Sequence, residues 1–346
     1  MTTAAELASY ASSFPSFRNR IINGNFDIWQ RGTSQTNAGY GSADRWFLGH
    51  TGSTKTASRV AFTVGQTEVP GNPKYYLRHV VSSVAGTGNH CFLDQRIEGV
   101  HTLAGQTATL SFWAKADSNK NIATEFIQYF GTGGSPSNQI TGIQVVTHNL
   151  TTSWQKFTAT VAIPFISGKT IGSDGNDLLE LIFWFDAGST YSARTNSLGQ
   201  QSGTFDIAQV QLEEGTVPTP FEHRPYGIEL ALCQRYYYVV VDGSESTNQV
   251  FGTGIGWSTV QIEMVKEHPV EMRASPDLKQ TVVTNGYQGK VSGIDINMNS
   301  LVTYKSTTRN VLLYNPGVSG VTAGSVYRMA INNVTPSPKI ALEAEL

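Results

Sequence analysis

The sequence predicts an all-β protein, an N-terminal jelly-roll β-sandwich followed by a smaller C-terminal β-sandwich domain with a short linking helix. Three observations lead there. Apolar and polar residues alternate over many short segments, clusters of Gly, Asn, Ser and Pro separate those segments, and helical periodicity is nearly absent. At 346 residues the chain is comfortable for two domains, each long enough to bury a core without disulfide staples.

Taken in order, residues 1–19 form an Ala/Ser-rich arm in which Ala4, Ala5, Leu7, Ala8 and Ala11 allow two helical turns before Pro15 stops them. It reads either as a disordered terminus or as an attachment or trimerisation arm. From Ile21 the strands come steadily, the clearest being Lys74 to Ser82, Thr107 to Ala116, Trp154 to Ile163, Leu178 to Phe185 and Phe205 to Leu212. Their alternation assigns faces. Ala108, Leu110, Phe112 and Ala114 share one side, with Thr109, Ser111, Trp113 and Lys115 on the other. Phe157, Ala159, Val161 and Ile163 point away from Lys156, Thr158 and Thr160. Leu179, Leu181, Phe183 and Phe185 form a core side, leaving Glu180, Ile182 and Trp184 opposite. Each of these strands is expected to pack one face and leave the other at least partly wet.

A boundary is expected near 215–227, where Gly215, Pro218, Pro220 and Pro225 give an extended stretch unable to pair as a central strand. Ile228 to Arg235 then reads as a short helix entered after a proline. A second set of strands follows: Tyr236 to Val241, Val250 to Lys266, Lys279 to Val283, Lys290 to Ile296, Leu301 to Tyr304 and Ser325 to Val334. The expected division is an arm over 1–19, a jelly roll over 20–226 and a C-terminal sandwich over 227–346. No short fixed repeat argues for a propeller or β-helix.

Composition narrows the function classes. Only 14% of residues are charged and the formal net charge is −2, which provides no electrostatic footprint for nucleic acid or an anionic membrane. No apolar run is long enough to span a membrane. Met1 to Tyr10 lacks the basic and hydrophobic regions of a signal peptide, so cytoplasmic synthesis is expected. Cys91 and Cys233 sit in apolar runs and read as buried thiols rather than a disulfide. No Gly-x-Ser-x-Gly elbow, His-Glu-x-x-His, Walker loop or dinucleotide fingerprint occurs, and the seven His are scattered. A glycosidase pair such as Glu98 and Asp186 can be nominated, but the sequence does not give their separation. The expectation is a protein without catalytic residues.

Three segments carry a pattern. The first is Asn19-Arg20-Ile21-Ile22-Asn23-Gly24-Asn25-Phe26-Asp27-Ile28-Trp29-Gln30-Arg31-Gly32, followed by Ala43-Asp44-Arg45-Trp46. The second is Leu110-Ser111-Phe112-Trp113-Ala114-Lys115-Ala116, with Trp154-Gln155-Lys156 and Ile163-Pro164 after it. The third is Ile207-Ala208-Gln209-Val210-Gln211-Leu212-Glu213-Glu214-Gly215, then Pro218-Thr219-Pro220-Phe221-Glu222. Cys233 to Tyr237, Pro269 to Pro276 and the run Ile340 to Leu346 extend it. Together they resemble the tail-fibre and virion structural proteins of tailed bacteriophages, whose main domain looks like the jelly-roll carbohydrate-binding modules with a galactose-binding-like fold. The resemblance implies a virion location, a homotrimer, other virion proteins as partners and a host-surface glycan as ligand. Alternatives are a purely structural head-fibre, decoration or baseplate component and a capsule-polysaccharide depolymerase.

Sugars present an apolar face rimmed by hydroxyls, so their sites combine an exposed aromatic ring with amide, carboxylate or cationic partners. Trp113 and Trp184, with Lys115 and Glu180 on their respective faces, form a stacking platform if their strands share one sheet. The same tryptophans serve equally as anchors of a subunit interface. The resemblance also implies a structural calcium between a carboxylate after the first strand and one on the last. The matching positions are Asp27 and Asp206, which otherwise read as hydrogen-bonded turn carboxylates. No other cofactor is expected.

Overall fold

The computed structural model describes residues 17–244 and 249–346, so nearly all of the expected arm over 1–19 lies outside the described residues. The chain divides into two compact units between Glu229 and Leu230.

The strands of the first unit are β1 (Ser34–Gln35), β2 (Trp46–Thr51), β3 (Thr54–Ala61), β4 (Tyr75–Ser82), β5 (His90–Glu98), β6 (Thr107–Ala116), β7 (Lys120–Tyr129), β8 (Ile140–Leu150), β9 (Gln155–Ala162), β10 (Leu178–Ala187) and β11 (Gly203–Glu214). They form two antiparallel sheets, in the orders β1-β3-β4-β11-β6-β9 and β2-β5-β10-β7-β8. The core lies between them, where Leu110, Phe112, Leu181, Phe183, Phe205 and Ile207 are completely buried. The inward faces are those the alternation predicts, because a period of two leaves a half-buried strand no other way to turn. The all-β jelly-roll class follows directly from this pattern.

The N-terminal segment is not a strand, yet it is stitched to both sheets by side-chain amides. Asn19 Oδ1 accepts from the Ile21 and Leu212 N–H groups, and its Nδ2 donates to the Val210 carbonyl. Gln95 bonds both backbone groups of Ile22. Asn23 does the same for Ile28, while the Trp46 indole donates to the Asn23 carbonyl. These amides meet the requirement that buried backbone groups be paired where no ladder exists. Gly24 accepts from Val210 N–H at 2.9 Å, an approach so close that a Cβ on Gly24 would collide with the Val210 carbonyl oxygen. Most of the recurrent N-terminal motif is therefore an anchoring device.

Two histidines sit in the core. His79 stacks on Phe185 with ring centroids 4.3 Å apart, and neither ring nitrogen has a hydrogen-bond partner. Burial, helped by the nearby Lys55 and His50 charges, lowers its pKa to about 3. His148, on β8, pairs with Thr124 Oγ1 at 2.9 Å, and burial lowers its pKa to about 4. Cys91 and Cys233 are both buried thiols, and burial pushes Cys91 up to about 12, which makes it unreactive.

Helix α1 (Tyr226–Gln234) begins directly after Pro225, whose carbonyl accepts from the Ile228 and Glu229 N–H groups. The second unit contains β12 (Tyr237–Val241), β13 (Val250–Ser258), β14 (Gln261–Glu267), β15 (Asp277–Gln280), β16 (Tyr287–Val291), β17 (Ile294–Met298), β18 (Val302–Ser306), β19 (Asn310–Pro316), β20 (Val326–Ile331) and β21 (Ile340–Glu343). A sheet β12-β21-β15 and a sheet β17-β16-β20-β13-β14-β19-β18 enclose a core that includes Tyr287, Val311, Leu313, Met329, Ile340 and Leu342. Three expectations need correction here. The run 250–266 is a hairpin rather than one strand, and so is 290–296, where Ser292 and Gly293 both take positive φ as a type I′ turn requires. β19 was not among the expected strands. Arg273, from the recurrent Pro269 to Pro276 run, donates to the Ala344 and Glu345 carbonyls and so fixes the end of β21.

Gly24→Ala is expected to destabilise the protein by about 3 kcal/mol, the scale of overpacking, and to lower the melting temperature by roughly 10 °C. Gly227→Ala, where an added Cβ meets nothing within 4 Å, is expected to leave it unchanged or slightly raised. Both are read by calorimetry.

The two core histidines remain neutral in the fold but take up protons in the unfolded chain below its pKa of 6.5. Their contribution is therefore complete above pH 6.5 and is lost as pH falls from there towards 4, at up to about 1.4 kcal/mol per pH unit for each histidine. Urea titrations at pH 7 and 4.5 check this, and His79→Leu is expected to show a shallower loss than the native protein.

Candidate functional site

The outer face of the six-stranded sheet carries a groove. Its floor comes from three adjacent strands. β6 supplies Ser111 and half-buried Trp113, and β9 supplies Lys156, which stands directly opposite Trp113. β11 supplies Gln209. That residue lies in the bulge between Ala208 and Gln211 with φ at +49°, a local break that turns its side chain outward. Its walls come from Pro70, Gly71, Pro218, Pro220, Phe221 and His223, with the His223 ring close against Gly71, and they enclose about 530 Å³.

Buried polar groups hold the walls. Glu213, at the end of β11, accepts from the Thr219 N–H at 2.8 Å, from its hydroxyl at 2.6 Å and from Gln211 Nε2 at 2.8 Å. Gln211 Oε1 in turn accepts from the Glu222 N–H, and the Glu222 carboxylate from the Arg18 and Asn19 N–H groups. The stretch 215–223, within the expected boundary region near 215–227, is thus strapped onto its own sheet. Gln209 Nε2 donates to the Pro70 carbonyl at 2.7 Å and so holds the Pro70–Gly71 segment.

No carboxylate lines the groove, whereas Lys156 and His223 do, and both are exposed. The nearest acids on this face are already engaged. Arg78 grips both oxygens of Asp206, at 2.8 and 2.9 Å, and the guanidinium is held strongly protonated by that carboxylate. Beside the groove Phe62, Tyr76 and Trp154 form a small aromatic cluster, with Lys115 Nζ 5.3 Å above the Trp154 ring. A second recess of about 380 Å³ shares Gly71, Phe221 and His223 with the groove and adds Asp27, Arg59, Lys74 and Tyr75.

The expected four-residue platform does not assemble. Trp113 and Lys115 lie on the outer face of one sheet, Trp184 and Glu180 on the outer face of the other. Trp184 is only 1% exposed, because the segment after β10 folds back over it. Tyr191 packs at 5.1 Å, the Arg194 guanidinium lies over the ring, and the indole donates to Glu125 Oε1 at 3.0 Å. Glu125 is itself fully buried and satisfied by Arg194 and the Gly142 N–H. Glu180 faces Arg96 at 3.7 Å and the neighbouring Asp94, whose carboxyl burial and the Glu180 charge hold well above the usual carboxylate range. Lys115 is committed to Trp154 and does not line the groove. Of the four, Trp113 alone contributes to it.

Asp27 and Asp206, the expected calcium pair, make separate contacts. Asp27 lines the second recess and accepts from Asn25 Nδ2, whereas Asp206 is an ion-pair partner of Arg78 outside that lining. Among the described residues no group of three or more His, Cys, Asp or Glu is placed to hold a metal ion. Glu98 and Asp186 fall at opposite ends of the β5–β10 pairing, with Glu98 opposite Leu178 and Asp186 opposite Cys91. Eight residues of strand separate them by about 25 Å, far beyond glycosidase spacing. Asp186 is consumed by Ser53, Ser83 and the Gln201 N–H.

No protein-family model matches the chain, and no curated protein matches it. Solved structures similar to its first part include a family 4 carbohydrate-binding module, 21% identical with TM-score 0.31, covering 56% of this chain and 99% of that one. The family 11 carbohydrate-binding module from Clostridium thermocellum, in complex with a mixed-linked tetrasaccharide, is 10% identical with TM-score 0.32 over 54% of this chain and 98% of that one. The enzymatically active domain of tailspike protein 4 of bacteriophage CBA120 is 16% identical with TM-score 0.33, covering 58% of this chain and 22% of that one. Likeness this distant transfers no residue from those proteins to this chain.

Proposed function

We propose that the protein binds a glycan in the groove floored by Trp113 and acts as a virion attachment subunit, a tail fibre or receptor-binding component that meets the host surface. One observation carries the reading. An indole face, a hydroxyl (Ser111), an amide (Gln209) and a cation (Lys156) converge on one open groove with rigid walls. Apolar stacking on Trp113 and polar contacts around it match the two faces of a pyranose. Several copies on one particle turn weak single-site binding into firm adhesion. The resemblance of the three sequence segments to phage virion proteins supports the virion location. The groove offers no paired carboxylates, which favours binding over cleavage. Trp113→Ala is expected to weaken binding on a glycan array at least tenfold with little change in melting temperature. Binding unaffected by this change removes the groove from the function.

A second reading, assembly with copies of itself, is favoured by the outer face of the seven-stranded sheet. Cross-strand registers align Val326, Ile255, Glu263, Tyr314 and Val302 across five strands. Trp257 and Tyr304 near that row are 70% and 69% exposed. Glu263 and Arg328 share the face, so it carries both signs and complements itself. The expected homotrimer would use it. Light scattering at tens of micromolar is expected to give a multimer that Ile255→Lys with Trp257→Lys reduces to a monomer; a monomeric native protein contradicts this.

A further inference from the structure

We infer that the groove selects glycans bearing an anionic substituent, a carboxylate or a phosphate, over neutral ones. The inference rests on the glycan reading above and names the ligand class of that same site. Its basis is a charge imbalance: among the described residues Lys156 lines the groove and no acid does. Among the described residues the Lys156 ammonium has no ion-pair or hydrogen-bond partner, so its charge is directed at solvent in the groove rather than at the protein.

The carboxylates bordering the groove are paired: Asp206 with Arg78, and Glu213 with Arg18, its other lone pairs taking bonds from Thr219 and Gln211. The adjoining recess is charge-balanced, with Asp27, Glu222 and Glu229 against Arg59, Lys74 and Arg224, so the positive excess belongs to the groove alone. Arg59 and Lys74 on the same recess remain without carboxylate partners, Arg59 resting over the Tyr75 ring at 4.5 Å. Groove and recess share Gly71, Phe221 and His223, so a sugar chain extending out of the groove meets a recess of mixed charge, and the selection falls to Lys156. A ring stacked on Trp113 brings an equatorial acid substituent towards Lys156, which stands across from that tryptophan on the next strand. A neutral sugar gains the stacking but leaves the Lys156 ammonium with water alone. A charge-assisted bond at so open a site is worth about a tenfold preference. Being partly solvated, it is screened within a Debye length of about 8 Å at physiological salt.

The test is calorimetric titration of the full chain with three probes: a hexuronic-acid oligosaccharide, the same oligosaccharide with its carboxyl groups reduced to alcohols, and a glycosyl phosphate. At 50 mM salt the uronate, the phosphate or both are expected to bind about tenfold tighter than the reduced sugar, and which does so identifies the acid. The advantage is expected to shrink severalfold at 500 mM salt and to vanish in Lys156→Gln, whose fold is checked by circular dichroism. Equal affinity for acidic and reduced sugars overturns the charge selection and leaves the glycan reading standing. An acidic preference that survives Lys156→Gln also overturns it. Failure of all three probes to bind overturns the glycan reading itself.

Discussion

The first unit depends on one substitution of chemistry: side-chain amides stand in for a missing strand ladder. Asn19, Asn23 and Gln95 complete the backbone bonds of a segment that runs into the sandwich without joining either sheet. Where that segment meets β11, the Gly24 carbonyl takes the Val210 N–H that the bulge would otherwise strand. A stabilised bulge is what turns Gln209 outward, and Glu222, which accepts the Arg18 and Asn19 N–H groups, ties the same segment to the groove wall. Anchoring and ligand site are thus one network, since a buried amide left unpaired costs more than a paired one gains.

The two outer faces of the sandwich have opposite fates for reasons of charge satisfaction. On the five-stranded sheet, buried Glu125 collects Arg194, the Trp184 indole and the Gly142 N–H. That arrangement folds residues 188–201 over the sheet and closes it. A carboxylate so deeply placed is tolerable only because its lone pairs are filled. On the six-stranded sheet the buried carboxylate Glu213 lies at the margin instead and draws in only the Pro218–Phe221 strap. The centre stays open, with Trp113 as its floor.

Strand faces were legible in the sequence and strand partners were not. A period of two states whether Trp113 and Trp184 point towards the core, and both point away from it. It cannot state that their strands belong to different sheets, because that is set by pairing over long sequence distances. Asp206 likewise has the look of a metal ligand until the β4–β11 register places Arg78 opposite it. Prolines 218 and 220 correctly mark a segment outside the sheet, but nothing local reveals that Glu213 and Gln211 bind it. In the second unit, apolar runs interrupted by Thr259–Val260 and Ser292–Gly293 merge two strands into one on inspection, since turn residues there are few. The fold class needed only patterning; the groove needed registers, a bulge and a strap.

The central claim is that ligand binds over Trp113, in the groove lined by the Pro70–Gly71 loop and the 218–223 strap. A crystal structure of the protein soaked with an oligosaccharide that it binds tests this most directly. The account predicts a sugar ring stacked on the Trp113 indole within hydrogen-bond reach of Ser111, Gln209 or Lys156. A sugar bound on the second unit, or elsewhere on the first with the groove empty, contradicts it.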